Sequence, residues 1–423
     1  MKKVYSLVPF SIRNGREYRR WKKFLTLSIN IEEYMNNKIS ETIQFAMDNV
    51  KYYQLHNSCF DIEKMPFIDK EIVRSSFRDF QTKNIQSIKY FYVVTGGSTG
   101  VPMKYLQSKN VWAKELAFVI NNFQCYGYSV GEKKASFRGG DFDNLKKDQY
   151  WKMNPIYNEV HFSPFHINEK TVKKYVDKLN NDEILYFHAY PSAMETLMKF
   201  MKMQKLTLDY RPKAVFLISE NYTMEQVREL KDFFKCNISS FYGHSERLIF
   251  APNVPGKEDF YKVDERYGFF ELIDANGKVI TKNNVRGEIV GTSFDNFAMP
   301  LIRYRTGDYT EYADYEKRII KMIQGRWDQD YLVGENGEEL SIAALNMHSE
   351  VFRNVLLWQI RQRTPGQADL RIIPSNNYSD NDSQAILNAL NKKVGHTIKF
   401  SIIKVPELEK TARGKVKKVI KGI

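Results

Sequence analysis

The stretch from residue 214 to residue 241 constrains the fold of this chain more than any other. Residues 214–218 (AVFLI) form an apolar run of the length expected for a buried strand. Residues 223–226 (TMEQ) have the pattern of a capping box, which predicts a helix that continues to residue 234. A second strand is predicted over residues 238–241. Strand, helix and strand in this order predict a parallel α/β layer.

The rest of the chain predicts two domains. Its 423 residues are enough for two or three. The pattern is charged and helical before residue 90 and helical again over 111–123. From 269 to 323 it is rich in short strands, one of which is predicted over residues 318–323. Beyond Gly325 it becomes that of an α+β unit of about 100 residues. We therefore predict domains over residues 1–324 and 325–423. The elements predicted for the second domain are a hairpin at 336–337, helices over 342–352 and 383–394, and strands over 355–361, 370–373 and 398–405.

Composition narrows the classes of function. The net charge of +14 suits an anionic partner, but no basic block with interleaved aromatic residues is present, so a specific nucleic-acid binder is not expected. Three scattered cysteines without zinc-site spacing indicate reduced thiols and no structural metal. No secretory signal is evident, and no apolar run approaches the roughly 18 residues of a membrane span. These features predict a cytoplasmic protein; they leave its oligomeric state open.

A loop of glycines and hydroxyl residues follows the predicted strand at 90–94. Glycine lets several backbone N–H groups point at one anion, and hydroxyls add donors, so such a loop can hold a phosphate. No Gly-Lys-Ser/Thr follows, which excludes the P-loop of kinases and GTPases. On its own the segment is equally typical of a turn between two strands. Its residues are Thr95, Gly96, Gly97, Ser98, Thr99 and Gly100.

Four further motifs follow this loop: residues 242–246 (YGHSE), 304–308 (YRTGD), 325–328 (GRWD) and 410–415 (KTARGK). In this order and spacing the five resemble the signatures of the adenylate-forming superfamily, which includes acyl-CoA synthetases, peptide-synthetase adenylation domains and luciferases. Residues 346–348, 358–359 and 364–366 sharpen the match. They resemble the phenylacetate–CoA ligase family, in particular its branch of capsular polysaccharide biosynthesis proteins.

The resemblance implies an α/β fold with a large N-terminal adenylation domain and a small, mobile α+β C-terminal domain. It implies that ATP and Mg²⁺ activate a carboxylic acid as acyl-AMP, and that the acyl group then passes to CoA or to an amine or hydroxyl acceptor. A carboxylate is a weak nucleophile and must approach another anion. Such an enzyme therefore has to neutralise phosphate charge and hold the reacting groups in line.

The resemblance also assigns roles to single residues. The glycine loop would hold ATP phosphates, although Gly96 stands where the family usually has Ser or Thr. Tyr242 would stack on adenine beside Gly243. Glu246 would bind Mg²⁺, for which a carboxylate is apt. Asp308 would accept hydrogen bonds from both ribose hydroxyls.

Three residues are implied to act in the C-terminal domain and at its hinge. Arg326 would contact ribose or phosphate, and Asp328 would be the hinge, although Gln329 replaces the second Asp that the family often has. Lys415 would reach between the carboxylate and the α-phosphate and stabilise the developing charge. Glu409 stands where the family motif usually begins with Pro. The competing interpretation of Lys415 is one more lysine in a basic tail.

Weaker assignments concern the acid pocket and a second nucleotide contact. Ser219 and Glu220 stand where relatives have a Gly-Glu pair near the nucleotide. Tyr190 and His244 would line the acid pocket, with core packing as the alternative for Tyr190. For His348 a structural role is favoured over that of a catalytic base. For the whole chain, the alternative function is a non-catalytic, nucleotide-binding scaffold of capsule assembly.

Overall fold

The structure, a computed structural model, describes residues 8–56, 59–94, 103–140, 142, 145, 148–323, 331–341, 345, 347, 350–394, 397–412 and 414–422. Its α-helices are α1 (Phe10–Arg13), α2 (Gly15–Phe24), α3 (Ile31–Asn49), α4 (Lys51–His56), α5 (Lys70–Ser75), α6 (Lys109–Gln124), α7 (Val172–Asp182), α8 (Pro191–Met203), α9 (Met224–Phe234) and α10 (Asp380–Val394).

The strands are β1 (Tyr90–Val94), β2 (Lys104–Ser108), β3 (Lys134–Phe137), β4 (Trp151–Asn154), β5 (Glu159–Phe162), β6 (Tyr186–Ala189), β7 (Ala214–Leu217), β8 (Asn237–Tyr242), β9 (Ala251–Val254), β10 (Lys257–Lys262), β11 (Gly268–Ile273), β12 (Arg286–Ser293), β13 (Tyr304–Asp314), β14 (Ile319–Lys321), β15 (Tyr331–Val333), β16 (Glu339–Ser341), β17 (Val355–Thr364), β18 (Gln367–Pro374), β19 (Lys399–Lys404) and β20 (Val419–Lys421).

The chain divides into two compact units, each made of two separate stretches. The first unit comprises Met1–Val130 and Ser239–Gly325, and the second comprises Gly131–Ile238 and Arg326–Ile423. The C-terminal α+β part thus shares a unit with the central stretch of the chain. The domain boundary predicted at Gly325 lies outside the described residues and stays a prediction.

The first unit is built on antiparallel strands. Strands β11, β12, β13, β14, β10, β9 and β8 pair in that order, and β1 pairs with β2 as a separate ribbon. The helix α2 packs on α6 through Tyr18, Trp21 and Phe118. Burial of such aromatic side chains is a large stabilising contribution, about 1.5–3 kcal/mol each.

The second unit contains the parallel layer that the sequence predicts. Strands β7, β6, β3 and β5 pair in parallel, and β4 closes the edge antiparallel to β5. The helix α9 begins at a capping box in which the side chains of Thr223 and Gln226 each bond the other's backbone N–H. Apolar side chains of the sheet, such as Phe137 and Phe187, form one core with residues of α7, α8 and α9.

The C-terminal part of the second unit is a smaller α+β domain. Strands β19, β18, β17 and β20 form its sheet, β15 and β16 form a hairpin, and Ile386 and Leu390 of α10 lie in its core. The side chains of Leu357, Ile373 and Leu408 pack in the core of the parallel layer and not in the core of the C-terminal domain. The domain is therefore packed against the central stretch of the chain.

Two predicted elements differ from the structure. The strand predicted over 318–323 is shorter, because Arg318 has a φ of 53° and belongs to the turn before β14. In the range 342–352, where a helix is predicted, the structure shows a short 3₁₀ helix, Glu350–Phe352. Six other residues of this range lie outside the described residues. In the described ranges, no helix is both long and apolar enough to cross a lipid bilayer.

Candidate active site

The turn after β8 carries the YGHSE motif and is held by the neighbouring β2. The hydroxyl of Tyr105 donates a hydrogen bond to the carbonyl oxygen of Ser245, and Nε2 of Gln107 donates to the same oxygen at 3.4 Å. Tyr105 and Gln107 are two residues apart on one strand, so they face the same side. Two side chains from β2 thereby fix the turn in the first unit.

Tyr242 and Asp308, from two different motifs, are brought together. The Tyr242 hydroxyl donates to Oδ2 of Asp308 at 2.9 Å. Burial, together with the charge of Asp308, raises the pKa of Tyr242 well above its ordinary value, so the phenol stays protonated and remains the donor. The tyrosine ring predicted for adenine and the carboxylate predicted for ribose are thus adjacent, as one bound nucleoside requires.

The YRTGD segment lies in β13, where the pairing with β12 is irregular, and it is held by a carboxylate on β12. Oε2 of Glu288 accepts from Nη2 of Arg305 at 2.5 Å, and Oε1 accepts from the N–H of Gly307 at 3.1 Å. Gly307 has a φ of 73°, in the left-handed region that favours glycine. The backbone N–H of Asp308 donates to the Thr306 hydroxyl at 3.1 Å. These bonds hold the backbone around Asp308 in one conformation.

Glu246 is a buried carboxylate within this region. Its Oε1 accepts from the Tyr304 hydroxyl at 3.3 Å, and its Oε2 lies 3.6 Å from Nδ1 of His244. In the described residues no group of three or more His, Cys, Asp and Glu side chains gathers to hold a metal. A single carboxylate still fits Mg²⁺, which proteins commonly hold through one or two carboxylates together with phosphate oxygens and waters.

His244 has an unusual environment for a histidine. Only 13% of its side-chain surface is exposed to solvent. Neither ring nitrogen makes a hydrogen bond to any residue that the structure describes. Its ring lies edge-on to Tyr242, with ring centres 5.8 Å apart. Buried polar atoms are normally paired, so these two nitrogens are an exception in the described part of the chain.

In the second unit, Ser219 and Glu220 follow β7. Ser219 has a φ of 61°, in the left-handed region that favours glycine, the residue that the family resemblance implies at this position. The carboxylate of Glu220 accepts from the backbone N–H of Ser192 at 2.9 Å and from its hydroxyl at 3.0 Å. Ser192 lies in the first turn of α8, where carboxylates are stabilised. Burial nevertheless raises the pKa of Glu220.

Lys415 lies beside Ser219, in the same unit. Its Nζ donates a hydrogen bond to the carbonyl oxygen of Ser219 and sits 5.1 Å from the centre of the Tyr190 ring. Tyr190 is buried and belongs to the core of the parallel layer, as its alternative interpretation predicts. Lys415 is therefore directed at the carboxyl end of β7, the kind of position where α/β sheets bind ligands.

The loop that carries Lys415 is shaped by its neighbours. Gly414 has a φ of 81°, and a Cβ there would lie 2.5 Å from Cγ of Pro164. Glu409, which replaces the usual Pro, donates its backbone N–H to Oε1 of Gln359 at 3.1 Å, a bond that proline could not make. Its carboxylate forms ion pairs with Arg361 and Arg371.

Several predicted site residues are not tested by this geometry. The glycine loop Thr95–Gly100, Arg326, the hinge Asp328 and His348 lie outside the described residues. Tyr190 belongs to the second unit and His244 to the first, and their common acid pocket stays a prediction. Gly243 lies exposed on the turn after β8.

Sequence reasoning missed residues that complete the turn after β8. Tyr105 and Gln107 belong to none of the five motifs. The only signal that could have indicated them is that they occupy alternate positions, on one face, of the strand that follows the glycine loop. Arg247 directly follows the motif; its guanidinium stacks over Trp112 with its carbon 4.6 Å from the ring centre. Oε1 of Gln107 and Nη1 of Arg247 are buried without a hydrogen-bond partner in the described part of the chain.

Comparison with known proteins agrees with the motifs and the fold. The family model described as the CapK C-terminal domain matches residues 332–422. Protein CapK of Staphylococcus aureus is 24% identical over 312 residues, which cover 71% of this chain and 67% of that protein. Phenylacetate-coenzyme A ligase of Pseudomonas putida is 23% identical over 338 residues, which cover 75% of this chain and 73% of that protein.

Solved structures have the same fold. A 2-hydroxyisobutyryl-CoA ligase, in the postadenylation state with an acyl-AMP (R3-HIB-AMP), superposes with a TM-score of 0.68 at 15% identity, covering 92% of this chain and 88% of that one. The acyl acid amido synthetase AtGH3.15 in complex with 2,4-DB superposes with a TM-score of 0.59 at 13% identity, covering 89% and 87%. The chain is therefore similar in sequence to protein CapK and to phenylacetate-coenzyme A ligase, and it has the fold of these solved ligases.

Proposed function

We propose that the protein is an AMP-forming ligase. An oxygen of the carboxylic acid attacks the α-phosphorus of ATP, the bond from that phosphorus to the bridging oxygen breaks, and pyrophosphate leaves with the electron pair. The acyl-AMP then transfers its acyl group to an acceptor and releases AMP. The observation that carries this proposal is the 2.9 Å bond between Tyr242 and Asp308, which unites the two motifs assigned to one nucleotide.

The residues of the first unit would bind the nucleotide and the metal. The ring of Tyr242 would stack on adenine, and the carboxylate of Asp308 would accept hydrogen bonds from ribose hydroxyls. Glu246 would hold Mg²⁺, which when bound neutralises phosphate charge. The loop Thr95–Gly100 would contribute backbone N–H groups to the phosphates, and Arg326 a further cationic contact.

Lys415 would act in the first half-reaction. Charge builds on the phosphate oxygens as pyrophosphate leaves, and an ammonium nearby stabilises it. The contact with the Ser219 carbonyl directs Nζ and is one that a substrate oxygen could replace. We further propose that residues 325–423 move about Asp328 between half-reactions, so that Lys415 leaves and the acceptor enters.

CoA is the acceptor that the relatives favour. Phenylacetate-coenzyme A ligase and 2-hydroxyisobutyryl-CoA ligase are named for it. The acyl acid amido synthetase supports an amine as the second choice. Kinship to protein CapK favours an amine or hydroxyl of a surface polysaccharide precursor. We place the reaction in the cytoplasm, where ATP and CoA are available.

A pyrophosphate-release screen tests the function. The full chain is incubated with ATP and Mg²⁺ and with aromatic, amino, hydroxy and sugar acids, with and without CoA, and products are identified by intact mass. Release that depends on one class of acid, with acyl-AMP or its transfer product detected, is the expected result. ATP binding without release for any acid would contradict the proposal and favour the non-catalytic scaffold.

A further inference from the structure

A second lysine close to Lys415 makes a contact that the proposed chemistry does not use. Nζ of Lys418 lies 3.5 Å from Oε2 of Glu195 on α8 and 4.7 Å from the centre of the Trp358 ring. The Glu195 side chain keeps 7% of its exposure and that of Lys418 keeps 29%. Removing one partner of such a shielded pair leaves the other charge poorly compensated, so the contact has consequences for both segments.

The two partners depend on each other unequally. Glu195 also accepts from Nζ of Lys199 at 2.8 Å and from Nε2 of Gln226 at 2.7 Å. Burial favours a higher pKa for Glu195, but Lys199 and Lys418 outweigh it and hold that pKa below its ordinary value. For Lys418, burial lowers the pKa, and Glu195 is the main group that opposes this. The charged state of Lys418 therefore depends more on Glu195 than the charged state of Glu195 depends on Lys418.

Other contacts of the segment 410–418 converge on the same surface. The backbone N–H of Val416 approaches the Ser192 hydroxyl at 3.5 Å, and Nζ of Lys410 donates to the carbonyl oxygen of Phe165 at 2.9 Å. Ser192 and Glu195 are three residues apart on α8, so they lie on one face of that helix. The segment is thus attached on both sides of Lys415.

We propose that Glu195 is a positioning residue for Lys415. Through Lys418 it holds the segment 410–418 against α8, with Lys415 at the Ser219 carbonyl, the arrangement used for adenylation. When the segment leaves for acyl transfer, Lys199 and Gln226 continue to compensate the Glu195 carboxylate, so release is not prohibited. This inference rests on the proposed function, in which Lys415 serves the first half-reaction.

Hydrogen–deuterium exchange of the full chain without substrates tests the contact itself. In Glu195→Gln and in Lys418→Met the amides of residues 410–421 should exchange about 10-fold faster, because the segment undocks more often. Lys418→Met should leave the exchange of α8 unchanged, because Glu195 keeps its pair with Lys199. Asp177→Asn on α7 is the matched control: it removes the same charge from an exposed pair with Lys173 and should change nothing. Unchanged exchange over 410–421 in Glu195→Gln would overturn the proposal.

Separate assays of the two half-reactions test the consequence of this contact for catalysis. They use the acid that releases most pyrophosphate in the screen. Glu195→Gln and Lys418→Met should each lower acid-dependent pyrophosphate–ATP exchange about 10-fold and leave transfer from purified acyl-AMP within about twofold. The double variant should lose no more than either single one. Equal loss in both half-reactions, or additive losses, would overturn the proposal. If no acid supports exchange in the unaltered protein, the proposed function fails, whereas the amide exchange still decides the contact.

Discussion

The Tyr242 hydroxyl and Oδ2 of Asp308 lie 2.9 Å apart although 66 residues separate them in the chain. The tyrosine ends β8, and the aspartate lies on β13 in the same unit. The bond orients the carboxylate of Asp308 relative to the tyrosine ring. It places the YGHSE and YRTGD motifs side by side in the folded chain.

Asp308 should contribute more to nucleotide binding than the hydroxyl of Tyr242. Asp308→Ala removes charged hydrogen bonds to ribose and should weaken ATP binding about 10- to 100-fold, measured by calorimetry at fixed salt. Tyr242→Phe keeps the ring and should weaken binding less than about fivefold. Equal effects of the two substitutions would contradict these roles.

Gly414 should be needed for more than its backbone conformation. In Gly414→Ala the new Cβ would lie 2.5 Å from Cγ of Pro164, which displaces the loop of Lys415. Gly337 also has a positive φ, 87°, but a Cβ there meets nothing within 4 Å. Both alanine variants should lose about 1–2 kcal/mol of stability from backbone strain.

Activity separates these two glycines. Acid-dependent pyrophosphate–ATP exchange should fall at least about 10-fold in Gly414→Ala, because a misplacement near 1 Å at a catalytic group is costly. Gly337→Ala should keep its exchange rate. A fall of the same size in both variants would show that general destabilisation, and not the position of Lys415, is responsible.

The buried pair of Lys114 and Asp295 should stabilise the first unit. Nζ of Lys114 donates to the Tyr267 carbonyl at 2.5 Å and to Asp295, with side-chain exposures of 3% and 5% for the pair. Asp295→Asn leaves the ammonium uncompensated and should cost about 3–5 kcal/mol in denaturant titrations. Asp79→Asn, which breaks an exposed pair with Lys51, should cost less than about 1 kcal/mol. Similar costs for the two would contradict the account.

Lys410 should make stability rise with pH. Burial lowers its pKa from 10.5 to about 8. Below that pH the lysine is charged in both folded and unfolded chains, and the folded chain bears the full desolvation cost. Between the two pKa values the folded chain loses the proton first, so its relative stability increases.

The measurement compares the unaltered protein with Lys410→Met, which removes this titration. From about pH 7.5 to about pH 9 the difference in unfolding free energy should shift by about 1 kcal/mol in favour of the unaltered protein. A constant difference over this range would mean that Lys410 keeps its ordinary pKa. A shift in the opposite direction would mean that its pKa is raised.

Local patterns in the sequence were sufficient for the elements around the site. The capping box at Thr223 and the strand at 214–217 form as predicted, because the interactions that define them lie within a few residues. The positive φ of Ser219 could not be predicted, since serine itself shows no preference for that conformation.

Long-range pairs escaped prediction for a different reason. Glu271 and Arg303 form a buried ion pair, with Nη2 2.8 Å from Oε1, across neighbouring parts of one sheet. Glu195 and Lys418 are separated by 223 residues. Charged residues are common along the chain, so no sequence pattern tells which two will be buried together. The motifs led to predictions of ligand-binding residues, which stay predictions, but they did not indicate which residues hold those side chains in place.

The central claim is that Lys415 serves adenylation, and acid-dependent exchange of labelled pyrophosphate into ATP tests it most directly. Lys415→Ala should abolish this exchange while ATP binding, measured by calorimetry, stays within about threefold. Lys417→Ala, at an exposed lysine two residues away, should leave exchange unchanged. Undiminished exchange in Lys415→Ala would contradict the account.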